Sequence, residues 1–172
     1  LIISFVVELN IPIKKQFDIS RIASLSVIDF LSDFNINAKI KWPNDILVDN
    51  EKISGILIHN IICKNMISHS IIGIGLNINQ VIFNEYNPKA TSLLLQTNRK
   101  SSLKKVQKSI ILKIQNRLEY YRNGENIGIE YIDMLFNKDK VAVFESSYKF
   151  NGIIRGVSDA GKLLVQTENI IQ

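Results

Sequence analysis

The sequence predicts an α+β fold: a β-sheet with flanking helices, followed by a small all-β appendage. Three observations predict it. Runs rich in β-branched residues alternate with three helical segments over the first 136 residues. From about Asn137 the pattern shifts to short strands joined by turn residues. Three polar and glycine-bearing islands interrupt the apolar strands, where such residues weaken pairing and leave core unfilled.

Residues 1–9 read as a strand, and Pro12 with Lys14-Lys15 marks a loop. Asp18 or Ser20 is placed to cap a helix through Phe34, with Ile22, Leu25, Ile28 and Leu31 on one face. Asn35-Ile36-Asn37 ends it. Residues 38–42 form a strand that stops at Pro43, which lacks a ladder donor. A short apolar strand at 46–48 is followed by Asp49-Asn50 turn chemistry. Residues 52–62 and 66–79 read as a hairpin bent at Cys63-Lys64-Asn65, and Asn87-Pro88 marks a loop. Ser101 or Ser102 opens a long helix whose face is Leu103, Val106, Ile110, Ile114, Leu118 and Tyr121. Lys104, Lys105, Lys108, Lys113 and Arg117 take the wet side, and Asn123-Gly124 closes it. A shorter helix covers 127–136. Strands at 141–144, 148–157 and 162–167 follow, the last two joined at Asp159-Ala160-Gly161. The boundary between a main domain, 1–137, and the appendage, 138–172, falls in a charged stretch.

The chain of 172 residues suffices for one buried domain plus a small appendage. Its single cysteine, Cys63, excludes an internal disulfide and fits a reducing compartment, so a cytoplasmic location is expected. No apolar run reaches the length of a membrane span, and no signal-peptide pattern is seen. The chain starts inside a strand without an initiating methionine, so its N-terminus is expected to lie upstream. The net charge of +5 comes from dispersed lysines rather than a basic run interleaved with aromatics, so no nucleic-acid partner is expected. His59, His69 and Cys63 lack the four-ligand spacing of a structural zinc site, and no metal ligand is assigned.

In the third island, Gly73, Gly75 and Asn77 share one strand face, while Ile72, Ile74, Leu76 and Ile78 share the other. The aliphatic face wants a core. The glycine face offers either a flat floor for a planar ligand, with Asn77 at its edge, or a place where another backbone packs closely. In the second, Lys52 precedes Gly55 in an apolar strand. It is either a point charge for phosphate or carboxylate, or a lysine snorkelling at a strand end. In the first, Trp42-Pro43-Asn44-Asp45 follows a strand. Asn44 and Asp45 are either ligand-facing groups, Asp45 with capacity for Mg²⁺, or an ordinary turn.

Taken together, Lys41-Trp42-Pro43-Asn44-Asp45, Lys52-Ile53-Ser54-Gly55-Ile56-Leu57 and Gly73-Ile74-Gly75-Leu76-Asn77 resemble the catalytic domain of biotin protein ligases, the biotin–[acetyl-CoA-carboxylase] ligases. The resemblance extends through Ala90-Thr91-Ser92-Leu93 to Gly152-Ile153-Ile154-Arg155-Gly156-Val157 and Gly161-Lys162-Leu163-Leu164-Val165. It implies a mixed sheet related to class II aminoacyl-tRNA synthetases, then a small Src-homology-3-like barrel. It implies ATP, Mg²⁺ and biotin as ligands, biotinyl-5′-AMP as intermediate, and a biotin carboxyl carrier domain as acceptor. On it, Lys52 is the catalytic lysine between biotin carboxylate and α-phosphate. Asn44, Asp45 and Asn77 lie on the adenylate side, Gly55, Gly73 and Gly75 leave room for biotin, and Arg155 approaches the nucleotide. On the resemblance, the family's glycine- and arginine-rich loop is expected to lie ahead of residue 1 and a further barrel strand after Gln172, and His59 stands where relatives carry glutamate. Two other readings stay open: an inactive fragment acting as a homodimerisation module, and a lipoate–protein ligase. A DNA-binding repressor domain would have to lie upstream.

Overall fold

The structure, a computed structural model, describes residues 1–84, 88–145 and 147–167. The expected loop residue Asn87 and the end at Gln172 lie outside these. Strands β1 (Ile2–Pro12), β2 (Ala38–Lys41), β3 (Asp45–Val48), β4 (Glu51–Cys63) and β5 (Met66–Leu76) form one sheet in the order β1-β5-β4-β3-β2. All four ladders are antiparallel, and parallel pairing is confined to isolated bridges such as Ile40–Leu135 and Lys52–Ala90. The sheet is therefore mixed only at those bridges. The second of them matters below, because it ties the segment around Ala90 alongside Lys52.

Alternation decides which face of the sheet is covered. Ile72, Ile74 and Leu76 of β5, with Ile78 beyond its end, are at most 2% exposed. Ile3, Phe5, Val7, Leu9 and Ile11 of β1 pack on the same core. The opposite face is bare: Ile2, Val6 and Leu57 are 89%, 64% and 74% exposed. The expected hairpin is present, with Cys63 opposite Met66 across Lys64-Asn65, and Lys64 at φ 56°.

Helix α1 (Phe17–Ser32) lies on the covered face against β2, β3 and β4, and α3 (Leu103–Arg122) and α4 (Ile127–Asp133) lie on α1. Twelve of the sixteen residues of α1 are buried, including Ser24 and Ser26. The single apolar face read from sequence was too narrow, because this helix has neighbours on both sides. Its start also differs from expectation. The helix begins at Phe17, after Gln16, without a side-chain cap. Asp18 sits inside the first turn, where Arg21 donates to it at 2.6 Å and the Tyr121 hydroxyl at 3.0 Å. Its carboxylate is thus turned to tertiary partners.

In α3, Val106, Ile110, Ile114 and Leu118 are buried as expected, while Leu103 is wet. Arg117 is not simply on the solvent side. Its guanidinium forks to Asp29 of α1 and Glu130 of α4 at 2.6–2.7 Å, and these carboxylates hold it protonated. A five-residue helix, α2 (Leu93–Thr97), was not expected, and Ser92 caps it. The chain continues into β6 (Val141–Glu145), β7 (Lys149–Val157) and β8 (Leu163–Gln166), a three-stranded antiparallel sheet. No helix among the described residues is long and apolar enough to cross a membrane.

Burial, then the charge of Asp18, pushes the Tyr121 hydroxyl up to about 12, and burial does the same for Tyr131. An unfolded tyrosine ionises near pH ~10. Between about 10 and 12 the unfolded chain has released these protons and the folded chain has not. This stabilisation is therefore complete below about 10 and lost as pH rises toward 12. Urea midpoints should fall over that window, and less steeply in Tyr121→Phe. Equal slopes in the two proteins would contradict the placement of Tyr121 against Asp18.

Candidate functional site

The site is built where β3, β4 and β5 meet on the bare face. Asp45 opens β3 opposite Gly55 of β4, and Gly55 stands opposite Gly75 of β5. Lys52 joins them through an irregularity. Ile46 pairs with Ser54 but Leu47 pairs with Lys52, so Ile53 is an extra residue on β4. Ile53 and Ser54 are buried in succession, and the alternation flips. Lys52 and Gly55, three apart, therefore share the bare face.

The Lys52 ammonium reaches the Asp45 carboxylate at 2.6 Å. Its side chain runs over Gly55: a Cβ there would stand 3.4 Å from both Cε and Nζ of Lys52. At Gly75, the same construction meets only the Gly55 carbonyl, at 3.8 Å, among the described residues. The two glycines thus make a backbone floor, with a lysine–aspartate pair at its edge. Lys52 is 40% exposed and Asp45 17%, so the pair orients the ammonium more than it stabilises the fold.

The surrounding main chain is firmly tied. Lys52 N–H donates to the Lys89 carbonyl at 2.7 Å, and Thr91 N–H donates to the Lys52 carbonyl at 2.9 Å. Asn77 lies just past the end of β5, and its amide donates to the carbonyls of Thr91 at 3.0 Å and Lys52 at 3.4 Å. It fastens the segment around Thr91 to β4, so its donor is already engaged rather than held out for a ligand. Asn44 is turned to the scaffold too. Its carbonyl accepts from Ile56 N–H at 2.9 Å and its amide donates to the Ile56 carbonyl at 3.1 Å. That pair fixes the entry of β3 beside Asp45.

An open groove of about 660 Å³ lies over this floor and brings together Lys41, Asp45, Lys52, Gly55, Gly75 and Asn77. Ile2, Gln80 and Phe83 also line it. Gly73 lies one row along, opposite Ser4 and Leu57, and is not in the lining. Arg155 is on β7, paired with Asp139 and donating to Gln166 Oε1 at 2.7 Å, and does not line the groove. His59 lies opposite Ile71, and His69 opposite Ile61. Among the described residues, no three His, Cys, Asp or Glu side chains converge as a metal site. Sequence reasoning did not assign Lys41, Gln80 or Phe83. Lys41 carried a signal, standing two residues before a strand-ending proline in the same island. Gln80 and Phe83 lie in an irregular segment that no periodicity marks.

Residues 1–77 match the Biotin/lipoate A/B protein ligase family. The chain is 28% identical over 179 aligned positions to the bifunctional ligase/repressor BirA of Bacillus subtilis, covering 98% of this chain and 54% of BirA. It is 26% identical to the biotin–[acetyl-CoA-carboxylase] ligase of Mycobacterium tuberculosis, over 90% of this chain and 58% of that protein. The chain thus spans just over half the length of the curated relatives it matches. Among solved structures, apo biotin protein ligase from Aquifex aeolicus superposes with a TM-score of 0.79 at 25% identity, over 99% of this chain and 77% of that one. The same Aquifex protein in complex with biotin and ATP gives 0.80 at 24% identity, over 100% and 73%. Over almost its whole length the chain is thus similar in sequence and in fold to biotin protein ligases.

Proposed function

We propose that the groove takes biotin and ATP, and that this chain carries the core of a biotin–protein ligase. The observation behind this is the Lys52 ammonium, held by Asp45 at 2.6 Å beside the paired glycines Gly55 and Gly75. In the first step a biotin carboxylate oxygen attacks the α-phosphorus of ATP and the bond to pyrophosphate breaks. Negative charge grows on the transferring phosphoryl oxygens, and a preorganised ammonium offsets it. In the second step a lysine amine of a biotin carboxyl carrier domain attacks the acyl carbon, and AMP leaves.

Lys52 is the catalytic residue in this reading. Asp45 orients it, with Asn77 and Asn44 behind them on the adenylate side. Gly55 and Gly75 give the biotin chain and rings access to the backbone, with Gly73 continuing that floor. A role for Arg155 at the nucleotide rests on the family resemblance alone. Mg²⁺ would come with the ATP phosphates, since one carboxylate already paired to a lysine makes no cage of its own. The main unit ends near Asn137, and the sheet of β6, β7 and β8 is part of a small Src-homology-3-like barrel. A cytoplasmic setting fits the lone cysteine. Biotin is favoured over lipoate by the full set of islands, and competition between the two acids in an adenylation assay separates them.

A second reading has one observation behind it. The bare sheet face with Ile2, Val6 and Leu57 suits a homodimer formed by a fragment without activity. Calorimetry with biotin and ATP, beside sedimentation of the same sample, distinguishes the two. Dimer without ligand binding favours the second.

Lys52→Ala in the full-length protein should lower biotinyl-AMP formation by at least about a hundredfold. Its melting temperature should stay unchanged, because Lys52 is 40% exposed. Normal adenylation by that variant would end the role assigned to Lys52. Gly75→Val puts its side chain into open groove. Stability should change by no more than about 0.5 kcal/mol, while biotin affinity drops at least about tenfold. Unaltered affinity would place biotin elsewhere.

A further inference from the structure

The turn joining β7 and β8 is seated on the main unit rather than in solvent. Trp42 Nε1–H donates to the Gly161 carbonyl at 2.9 Å. Arg21 grips the other end of the turn, donating to the Ser158 carbonyl at 3.2 Å. Gly161 has φ +83°, and a Cβ there would lie 2.5 Å from the Phe17 ring, so this position is closed to other residues on two counts. The Arg21 guanidinium lies 5.2 Å from the centre of the same ring. The turn itself is internally braced, Ser158 N–H to the Lys162 carbonyl at 2.9 Å and Gly161 N–H to the Ser158 carbonyl at 3.0 Å.

Trp42 is three residues before Asp45, in the short connection between β2 and β3. Asp45 is the partner that orients the Lys52 ammonium. A fixed backbone turn in the C-terminal sheet is therefore linked through one indole N–H to the connection that leads into the site's carboxylate at Asp45. We infer that the β7–β8 turn is a positioning element for the Lys52–Asp45 pair, acting through Trp42. It touches no ligand. It holds the connection that leads into β3 at Asp45, and the loss of the Trp42–Gly161 bond frees Lys52 from its partner. The importance of that pair rests on the ligase reading, but the coupling itself does not.

The test needs no ligand. Wild type, Gly161→Ala and Trp42→Phe chains are treated with limiting acetic anhydride, and acylation of each lysine is followed by mass spectrometry. Labelling of Lys52 is normalised to the exposed Lys104 and Lys105 of α3, so general loosening cancels. Trp42→Phe keeps the aromatic bulk and removes only the donor, so it serves where Gly161→Ala fails to fold. Lys52 labelling should rise about fivefold in the folded variants, the factor expected for one ordinary hydrogen bond. In an Asp45→Asn background, adding either change should give no further rise. Unchanged Lys52 labelling in a folded variant would overturn the inference. So would a rise that persists undiminished in the Asp45→Asn background, since the route would then bypass the pair. Absence of biotin and ATP binding by the wild type would instead count against the ligase reading and leave the labelling result standing.

Discussion

One extra residue in β4 determines the geometry of the candidate site. Without Ile53 as an unpaired insertion, strict alternation would place Lys52 on the same side as Ser54 and Ile56, facing the helices. A lysine there would be a buried cation with no carboxylate beside it, a costly arrangement. The bulge turns Lys52 out and lays its stem across Gly55. It also strengthens the local bend, which leaves Lys52 beside the segment of Lys89 and Thr91 that brackets it through main-chain hydrogen bonds. Gly55 and Gly75 then matter for different reasons. Gly55 leaves space for the lysine stem. Gly75 leaves space for whatever the lysine faces.

The bare face can stay bare only because the other face is so well covered. α1 is buried on both sides between the sheet and the α3–α4 layer, and that layering demands polar anchors at its edge. Asp18, Arg21 and Tyr121 supply one, and Arg117 with Asp29 and Glu130 another. Neither anchor is free of cost, since desolvation offsets much of the attraction of buried ion pairs. Arg21 Nε and the Tyr131 hydroxyl are buried without a hydrogen-bond partner among the described residues. What such anchors add is geometry. Arg21 joins α1 to the end of β7 as well as to Asp18, so the packing of α1 and the seating of the C-terminal sheet are set by the same side chain.

Most of the strand order along the chain was legible, because β-branched runs and turn residues alternate cleanly. The two-faced reading of Ile72, Ile74, Leu76 and Ile78 against the glycines also carried through to burial. What was not legible has identifiable causes. The buried sides of α1 depend on helices more than seventy residues away, and no local period reveals them. The bulge at Ile53 shifts alternation by one at an ordinary apolar residue, and the nearby Gly55 does not by itself fix where the extra residue falls. Asn44 and Asn77 look like ligand groups in sequence because an amide can serve either a ligand or a carbonyl. Only the placement of the Ile56 and Thr91 carbonyls shows where their donors go. Helix α2 is too short for a periodic signal, and Ser92 alone marks its start.

The division of labour among the islands follows from these placements. An ammonium in water gains little from one carboxylate, and the 40% exposure of Lys52 keeps its pair with Asp45 in that weak regime. A weak pair is easily exchanged when a phosphate or carboxylate arrives, which a deeply buried pair would resist. The site therefore needs Asp45 to be well placed more than tightly bound. Placement comes from outside the pair: from Asn44 fixed on Ile56, from Asn77 fixing the Thr91 segment, and from Trp42 fixed on Gly161. The polar residues of the first and third islands thus work largely on the protein's own backbone. The second island, with Lys52 over Gly55, is left open to the groove.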